Sequence, residues 1–402
     1  MEKISFGKLK QALEARDDSG AEKRVVSIIE AVRKNGDRAL IKFTEEFDGA
    51  RNVSLKVPAK ELAYAGKKID REVLKVVKEA EKRIKKYHDG QIPEKFDFKE
   101  KDFSVEYIFS PVEKAGIYIP AGQSPLVSTA LMTVIPAQVA GVKKIYAASP
   151  PSCKGKVHPL ILGVLDYLGI KDVFAVGGAQ SIAAFAYGTG TVPAVDIIAG
   201  PGNKYVNAAK RLLCGKVGID LLAGPSELVV FSDGSGNADF IAADIEAQIE
   251  HTDGLGIVVT TSEKEGRLLS GRIKGGYILV AKNIKEAVEI INYIAPEHLQ
   301  VMCRNPHLIA SIVIAGAVFF GDYSPAVLGD YFAGPSHVLP TGRAARFSSG
   351  LSVYTFLRSH AVISAGAGFY GRYGKMMEVL PQAERLSCHC NSINIRRRKA
   401  AK

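Results

Sequence analysis

Lys114-Ala-Gly-Ile-Tyr-Ile-Pro120 opens the stretch that decides the fold. Its apolar run stops in a Gly/Pro loop, as a buried strand does; helical spacing then covers Ser128 to Val139, and Lys143-Lys-Ile-Tyr-Ala-Ala-Ser149 supplies the next buried strand. The alternation goes on through a helix over 159–168, a strand over 172–176, a helix over 181–187 and a strand over 195–198. Strand and helix taken in turn predict a parallel, doubly wound sheet, because parallel neighbours need a crossover that carries the chain back to the same edge. Residues 115–142 hold no charge, a length that could cross a bilayer. Pro120, Pro125, Pro136, Gly116, Gly122, Gly141 and two glutamines interrupt them, so they read as a buried strand, loop and helix rather than a membrane span.

Outward from this block, a second set of elements begins at Leu228-Val-Val-Phe-Ser232. It runs through a helix over 238–249, a strand over 256–260, a helix over 284–293 and a Gly-rich apolar segment over 312–320. Before the block, 21–35 and 71–87 place apolar residues at helical spacing among charges. The fold class is therefore α/β, with two incomplete Rossmann-like domains carrying parallel sheets, a small N-terminal arm and a C-terminal helical extension. The boundaries read as 1–12 for the arm, 13–117 with 228–348 for the first α/β domain, 118–227 for the second, and 349–402 for the extension.

The 402 residues carry a formal net charge of +11, which raises nucleic-acid binding as an alternative. The lysines, however, are interleaved with apolar residues, as between Lys75 and Lys86, and that is the pattern of a solvated helix face. The run Arg396-Arg-Arg-Lys399 reads as a frayed basic tail. Five cysteines (153, 214, 303, 388, 390) lack the spacing of a disulfide framework, and the N-terminus lacks the apolar block of a signal peptide. A reduced, cytoplasmic setting without membrane or nucleic acid is expected.

Chemistry concentrates in a few places. Glu297-His298 sets two proton acceptors of different basicity side by side, although with Pro296 before it the first turn of a helix is the reading that local evidence favours. Gln248 and His251, three apart on a helix, lie about 60° apart around its axis and can reach one ion; a polar helix end before Thr252-Asp-Gly254 looks the same. Asp330 and His337 bracket a Gly-Pro loop rigid enough to hold donors. Cys388-His389-Cys390 is a weak metal signal without a second cysteine pair. Gly177-Gly-Ala-Gln180 and Gly200-Pro-Gly-Asn203 each leave a strand and open a helix, where backbone N–H groups receive anionic cofactors. Gly366-Ala-Gly368-Phe-Tyr-Gly371 matches G-x-G-x-x-G, but too little chain follows to complete a βαβ unit; it reads as a loop-to-helix junction.

Taken together, these segments resemble the histidinol dehydrogenase family. The likeness is densest over Gly116–Gly122, Gly177–Gln180, Gly200–Asn203, Ala223-Gly-Pro-Ser-Glu227, Gln248-Ile-Glu-His251, Pro296–Leu299 and Gly329-Asp-Tyr-Phe-Ala-Gly-Pro-Ser-His-Val-Leu-Pro-Thr341. The resemblance implies one zinc per subunit on Gln248, His251, Asp330 and His389, an acid–base pair in Glu297 and His298, further substrate contacts from Ser226, His337 and Glu384, and NAD contacts from Tyr118, Gln180 and Asn203. The zinc ligands and Glu297 would themselves touch the substrate. The first α/β domain would carry most zinc ligands and the catalytic pair, and the second the NAD side.

It implies also two successive NAD-linked oxidations of L-histidinol, through histidinaldehyde to L-histidine. A homodimer is implied, in which the C-terminal segment reaches the partner's active site, so that Glu384 and His389 serve the other subunit. Another amino alcohol on the same scaffold is the competing substrate. Ala121, Ile249 and Ser336 depart from the family pattern without removing a functional side chain, and two thiols flank His389.

Overall fold

The computed structural model describes residues 1–14, 19–121, 124–152, 154–250 and 253–401. Its strands in chain order are β1 (Glu2–Lys3), β2 (Phe96–Glu100), β3 (Phe103–Pro111), β4 (Lys114–Tyr118), β5 (Lys144–Ser149), β6 (Asp172–Ala175), β7 (Ile197–Ala199), β8 (Gly218–Ile219), β9 (Glu227–Ser232), β10 (Leu255–Thr260), β11 (Tyr277–Val280), β12 (His298–Met302), β13 (Ala317–Phe320) and β14 (Leu357–Ala365). They divide between two compact units, Met1–Gln91 with Val112–Phe356, and Ile92–Pro111 with Leu357–Lys402.

The first unit holds two all-parallel sheets, ordered β6-β5-β4-β7-β8 and β1-β11-β10-β9-β12-β13. Parallel strands need cover on both faces, and the alternation inside each strand provides it. Ala115 and Ile117 point into a core shared with Leu62, Val77, Ile84, Ile135 and Ile161, whereas Tyr118, Ala148 and Phe174 point into the opposite core with Val25, Leu40, Phe185 and Val206. The six-stranded sheet is covered likewise: Val229 and Phe231 face Leu9, Ile290 and Ile291, and Leu228 and Val230 face Ile241, Ile245 and Leu269. The α/β class with Rossmann-like parallel sheets is thus the observed one.

The structure differs from the expected boundaries in three places. Helices between Glu22 and Asp89 cover the five-stranded sheet rather than joining 228–348, and a division at 117/118 would cut β4. Helical spacing shows that an element has an apolar face but not which sheet takes it. The arm is part of the six-stranded sheet, since β1 pairs with β11 and Leu9 of helix Phe6–Glu14 is fully buried. The C-terminal segment is not helical throughout: after a short 3-10 turn over Val353–Phe356 it forms strand β14.

That strand belongs to the second unit, where β14, β3 and β2 form an antiparallel sheet, followed by helices Ala367–Met377, Val379–Ala383 and Ser387–Ala400. Gly366 and Gly368 press against Asp102 of the β2–β3 turn, and Phe369 stacks on Phe103 at 4.5 Å. The formal G-x-G-x-x-G match is a packing contact, in keeping with its reading as a junction. The basic run 396–399 is not frayed. It ends helix Ser387–Ala400, with Arg397 3.0 Å from Glu378, because lysine and arginine suit a helix C-terminus and the helix packs on Ala367–Met377. No helix among the described residues is long and apolar enough to cross a membrane.

Candidate active site

In the five-stranded sheet the chain runs from β4 out to β6 and then restarts on the other side of β4 with β7. This reversal opens a crevice at the carboxyl ends of β4 and β7, the place where open α/β sheets bind ligands. A cavity of about 570 Å³ lies there, and Tyr118, Gln180 and Asn203 all line it. The Tyr118 hydroxyl accepts a hydrogen bond from Gly178 N–H at 3.3 Å, and burial pushes its pKa up to about 12, so it stays a neutral hydrogen-bonding group. Gln180 is buried with its Oε1 unpartnered. Asn203 caps helix Lys204–Leu213 through Oδ1, accepting from Tyr205 and Val206 N–H, which leaves its amide protons for another acceptor.

The loop before Asn203 is held by a buried ion pair. Asp220 Oδ2 accepts from Gly200 N–H at 2.7 Å, while Lys210 Nζ donates to Gly200 O at 2.5 Å and to Asp220 Oδ1 at 2.6 Å, with both charged side chains fully enclosed. Gly200 has φ +123°, and a Cβ there would sit 2.0 Å from Tyr118 O. Only glycine lets the loop approach the end of β4 this closely.

The acid–base pair lies at the amino ends of β9 and β12, the two strands beside the reversal in the other sheet. Glu297 is not in a helix; it precedes β12, and His298 is the strand's first residue, which disposes of the helix-turn reading. Cross-strand pairing brings Ser226 and Glu227 alongside: the Ser226 hydroxyl donates to Glu297 Oε2 at 2.6 Å and Glu227 N–H donates to the same oxygen at 3.0 Å. His298 Nδ1 stands 3.5 Å from Glu297 Oε2, and Nε2 stands 3.8 Å from Asp330 Oδ1. His337 Nδ1 is 3.1 Å from the Asp330 carbonyl, and its Nε2 is 3.5 Å from Thr129 Oγ1 in the helix that follows β4. Five expected residues, Ser226, Glu297, His298, Asp330 and His337, therefore form one cluster, and Thr129 ties it to the carboxyl end of the other sheet.

Burial alone would raise the Glu297 carboxyl, but the His298 charge and the bonds from Ser226 and Glu227 outweigh it and hold the pKa below the usual carboxylate value. Burial also opposes charge on His298; Glu297, and then Asp330, reverse this and raise it. His337 goes the other way, with burial lowering it despite Asp330. The charges of Glu297 and Asp330 thus favour a proton on His298, whereas burial disfavours one on His337.

Of the expected zinc ligands, Gln248 and Asp330 lie on helices Ala238–Ile249 and Ala326–Tyr331, which pack side by side. Gln248 is buried, and its amide Nε2 has no hydrogen-bond partner among the described residues. His251 lies outside the described residues. Glu384 and His389 are exposed in the second unit. No group of three His, Cys, Asp or Glu among the described residues is arranged to hold a metal ion. Gln248 and Asp330 carry oxygen donors of the kind a divalent cation takes, whereas His389 is exposed in the second unit. Cys214, Cys303, Cys388 and Cys390 are free thiols.

Several groups escaped the sequence reading: Thr129, the Glu227 N–H, the Lys210–Asp220 pair and the end of helix Asp37–Asp48, which lines the cavity. Only the run of glycines around 200 signalled any of these, because the others depend on which elements meet.

Residues 11–397 match a family model described as Histidinol dehydrogenase. The chain is 39% identical over 398 residues to the histidinol dehydrogenase of Synechococcus sp., covering 93% of this chain and 92% of that one. It is 39% identical over 424 residues to the histidinol dehydrogenase of Bacillus subtilis, covering 100% and 99%. A crystal structure of histidinol dehydrogenase from Elizabethkingia anophelis aligns with a TM-score of 0.93 at 30% identity, over 100% of this chain and 98% of that one.

Proposed function

The chain belongs to the histidinol dehydrogenase family, and from that premise we propose that it oxidises L-histidinol in two NAD-linked steps, through histidinaldehyde to L-histidine, with one zinc ion per subunit. The observation that carries the reading is the convergence of Ser226, Glu297, His298, Asp330 and His337, joined through Thr129 to the lobe whose crevice Tyr118, Gln180 and Asn203 line.

Gln248, His251, Asp330 and His389 of the partner subunit hold the zinc in this proposal. Zinc, when bound, orients the amine and imidazole nitrogens of the substrate, and NAD, when bound, takes the hydride. The protein's own groups manage protons. His298 takes the alcohol proton in the first oxidation, and its place between Glu297 and Asp330 stabilises the imidazolium so formed. Glu297 activates the water that adds to the aldehyde; Ser226 and Glu227 occupy Oε2 and leave Oε1 for that water. Both steps share one buried pair, so the reactive aldehyde need not leave the site.

The homodimer reading is supported by the second unit, which leaves Ile363, Met376, Val379 and Leu380 exposed by 68%, 69%, 59% and 71%. Large apolar side chains left open in this way are the kind of surface that a second copy covers. The test is stoichiometric. Purified protein should hold one divalent ion per chain and form two NADH per histidinol consumed; turnover should vanish on chelation and return with zinc. One NADH per histidinol, or turnover that survives demonstrated removal of the metal, would overturn the proposal.

A further inference from the structure

Asp48 is the last residue of helix Asp37–Asp48, before Gly49 in the left-handed conformation, and it lines the cavity beside Tyr118, Gln180 and Asn203. Among the described residues no donor or cation is placed to reward a carboxylate there. A helix C-terminus carries the negative end of the dipole, Oδ2 is enclosed without a hydrogen-bond partner, and burial pushes the acid up to about 6. The nearby cation, Arg24, already faces Glu46 at 3.5 Å and lies over the Phe47 and Tyr205 rings, so the charge of Asp48 is left unbalanced. A carboxylate that lines a cavity without a hydrogen-bond partner among the described residues is the complement of a ligand that donates hydrogen bonds.

We propose that Asp48 accepts the hydroxyl groups of a ribose of the bound dinucleotide and so selects against a ribose bearing a 2′-phosphate. The proposal rests on the reading of this cavity as the NAD site. A ribose diol brings donors and no charge, whereas a phosphate would bring a dianion against a desolvated carboxylate. Asp48 thus fills the role that an acidic residue on another strand takes in dinucleotide-binding folds, supplied here from a helix end on the sheet's outer layer.

The experiment is titration of NADH and of NADPH into the full-length protein, followed by nicotinamide fluorescence, which no tryptophan obscures in this chain. Wild type, Asp48→Asn, Asp48→Ala and Gln180→Ala are compared. Loss of hydrogen bonds to a charged acceptor should weaken NADH binding by roughly 10- to 100-fold in Asp48→Ala. Asp48→Asn should fall between, and both should narrow the preference over NADPH. The Tm of Asp48→Ala should be unchanged or higher, since the carboxylate has no partner to lose; a merely structural acid would lower it. If Gln180→Ala weakens NADH binding while both Asp48 variants keep wild-type affinity and preference, the proposal fails and the cavity reading stands. If wild type binds neither nucleotide, or neither Gln180→Ala nor Asp48→Ala changes the binding, the cavity reading fails and takes the proposal with it.

Discussion

At residue scale, the chemistry turns on two neighbours in a strand. Adjacent residues of a strand ordinarily point to opposite faces; Glu297 stands just before β12, where the chain is still turning, so its carboxylate can lie 3.5 Å from the ring of His298. The environments then divide the labour. His298→Asn keeps the shape but removes the base, and should slow histidinol oxidation by roughly 10²- to 10⁴-fold. Glu297→Gln should harm oxidation of supplied histidinaldehyde more than that of histidinol, because only the second step needs an activated water. Single-turnover measurement of each half-reaction checks this, and equal losses in both would rule out the assignment. The pair itself was legible, because an acid beside an imidazole in an apolar stretch is conspicuous. Its partners were not: Ser226 stands 71 positions from Glu297 in sequence, and the resemblance alone pointed to it.

At the scale of elements, the loop Gly200–Asn203 could be picked out as an anion-receiving turn from glycines between a strand and a helix. The buried pair that holds it could not. Lys210 sits in the last turn of an amphipathic helix, where a cation normally faces water. Instead it is enclosed because Asp220 and the Gly200 carbonyl close over it. Lys210→Met should cost about 3–5 kcal/mol in urea unfolding, since it leaves Asp220 buried and unpaired. Adding Asp220→Asn should restore part of that. A single-variant loss below about 1 kcal/mol would show that Asp220 has found water or a proton, contrary to the enclosure seen here.

At the scale of the whole molecule, the proposed site draws on both units of the chain, with His389 and Glu384 supplied by a second copy. A mixture of inactive His298→Asn and His389→Ala variants should then recover activity, because a hybrid dimer contains one site with both defects and one with neither. With random exchange of equal amounts, half the dimers are hybrid, and recovery should approach a quarter of the wild-type rate. Absence of recovery, where mass spectrometry shows subunits exchanging, would mean that the two histidines serve the same site within one chain.

Local chemistry by itself determined the α/β class, the order of strands and helices between 114 and 260 apart from the short β8, the glycine loops and the acid–imidazole pair. Each depends on residues a few positions apart, where periodicity, turn geometry and side-chain type act directly. Tertiary structure alone decided that the helices between Glu22 and Asp89 cover the five-stranded sheet. It also decided that 96–111 pairs with 357–365, that Lys210 is buried, and that Asp48 faces a cavity. These depend on which apolar face meets which. Many faces are equally apolar, so the choice is made by the summed fit of the assembled layers, which no single segment encodes.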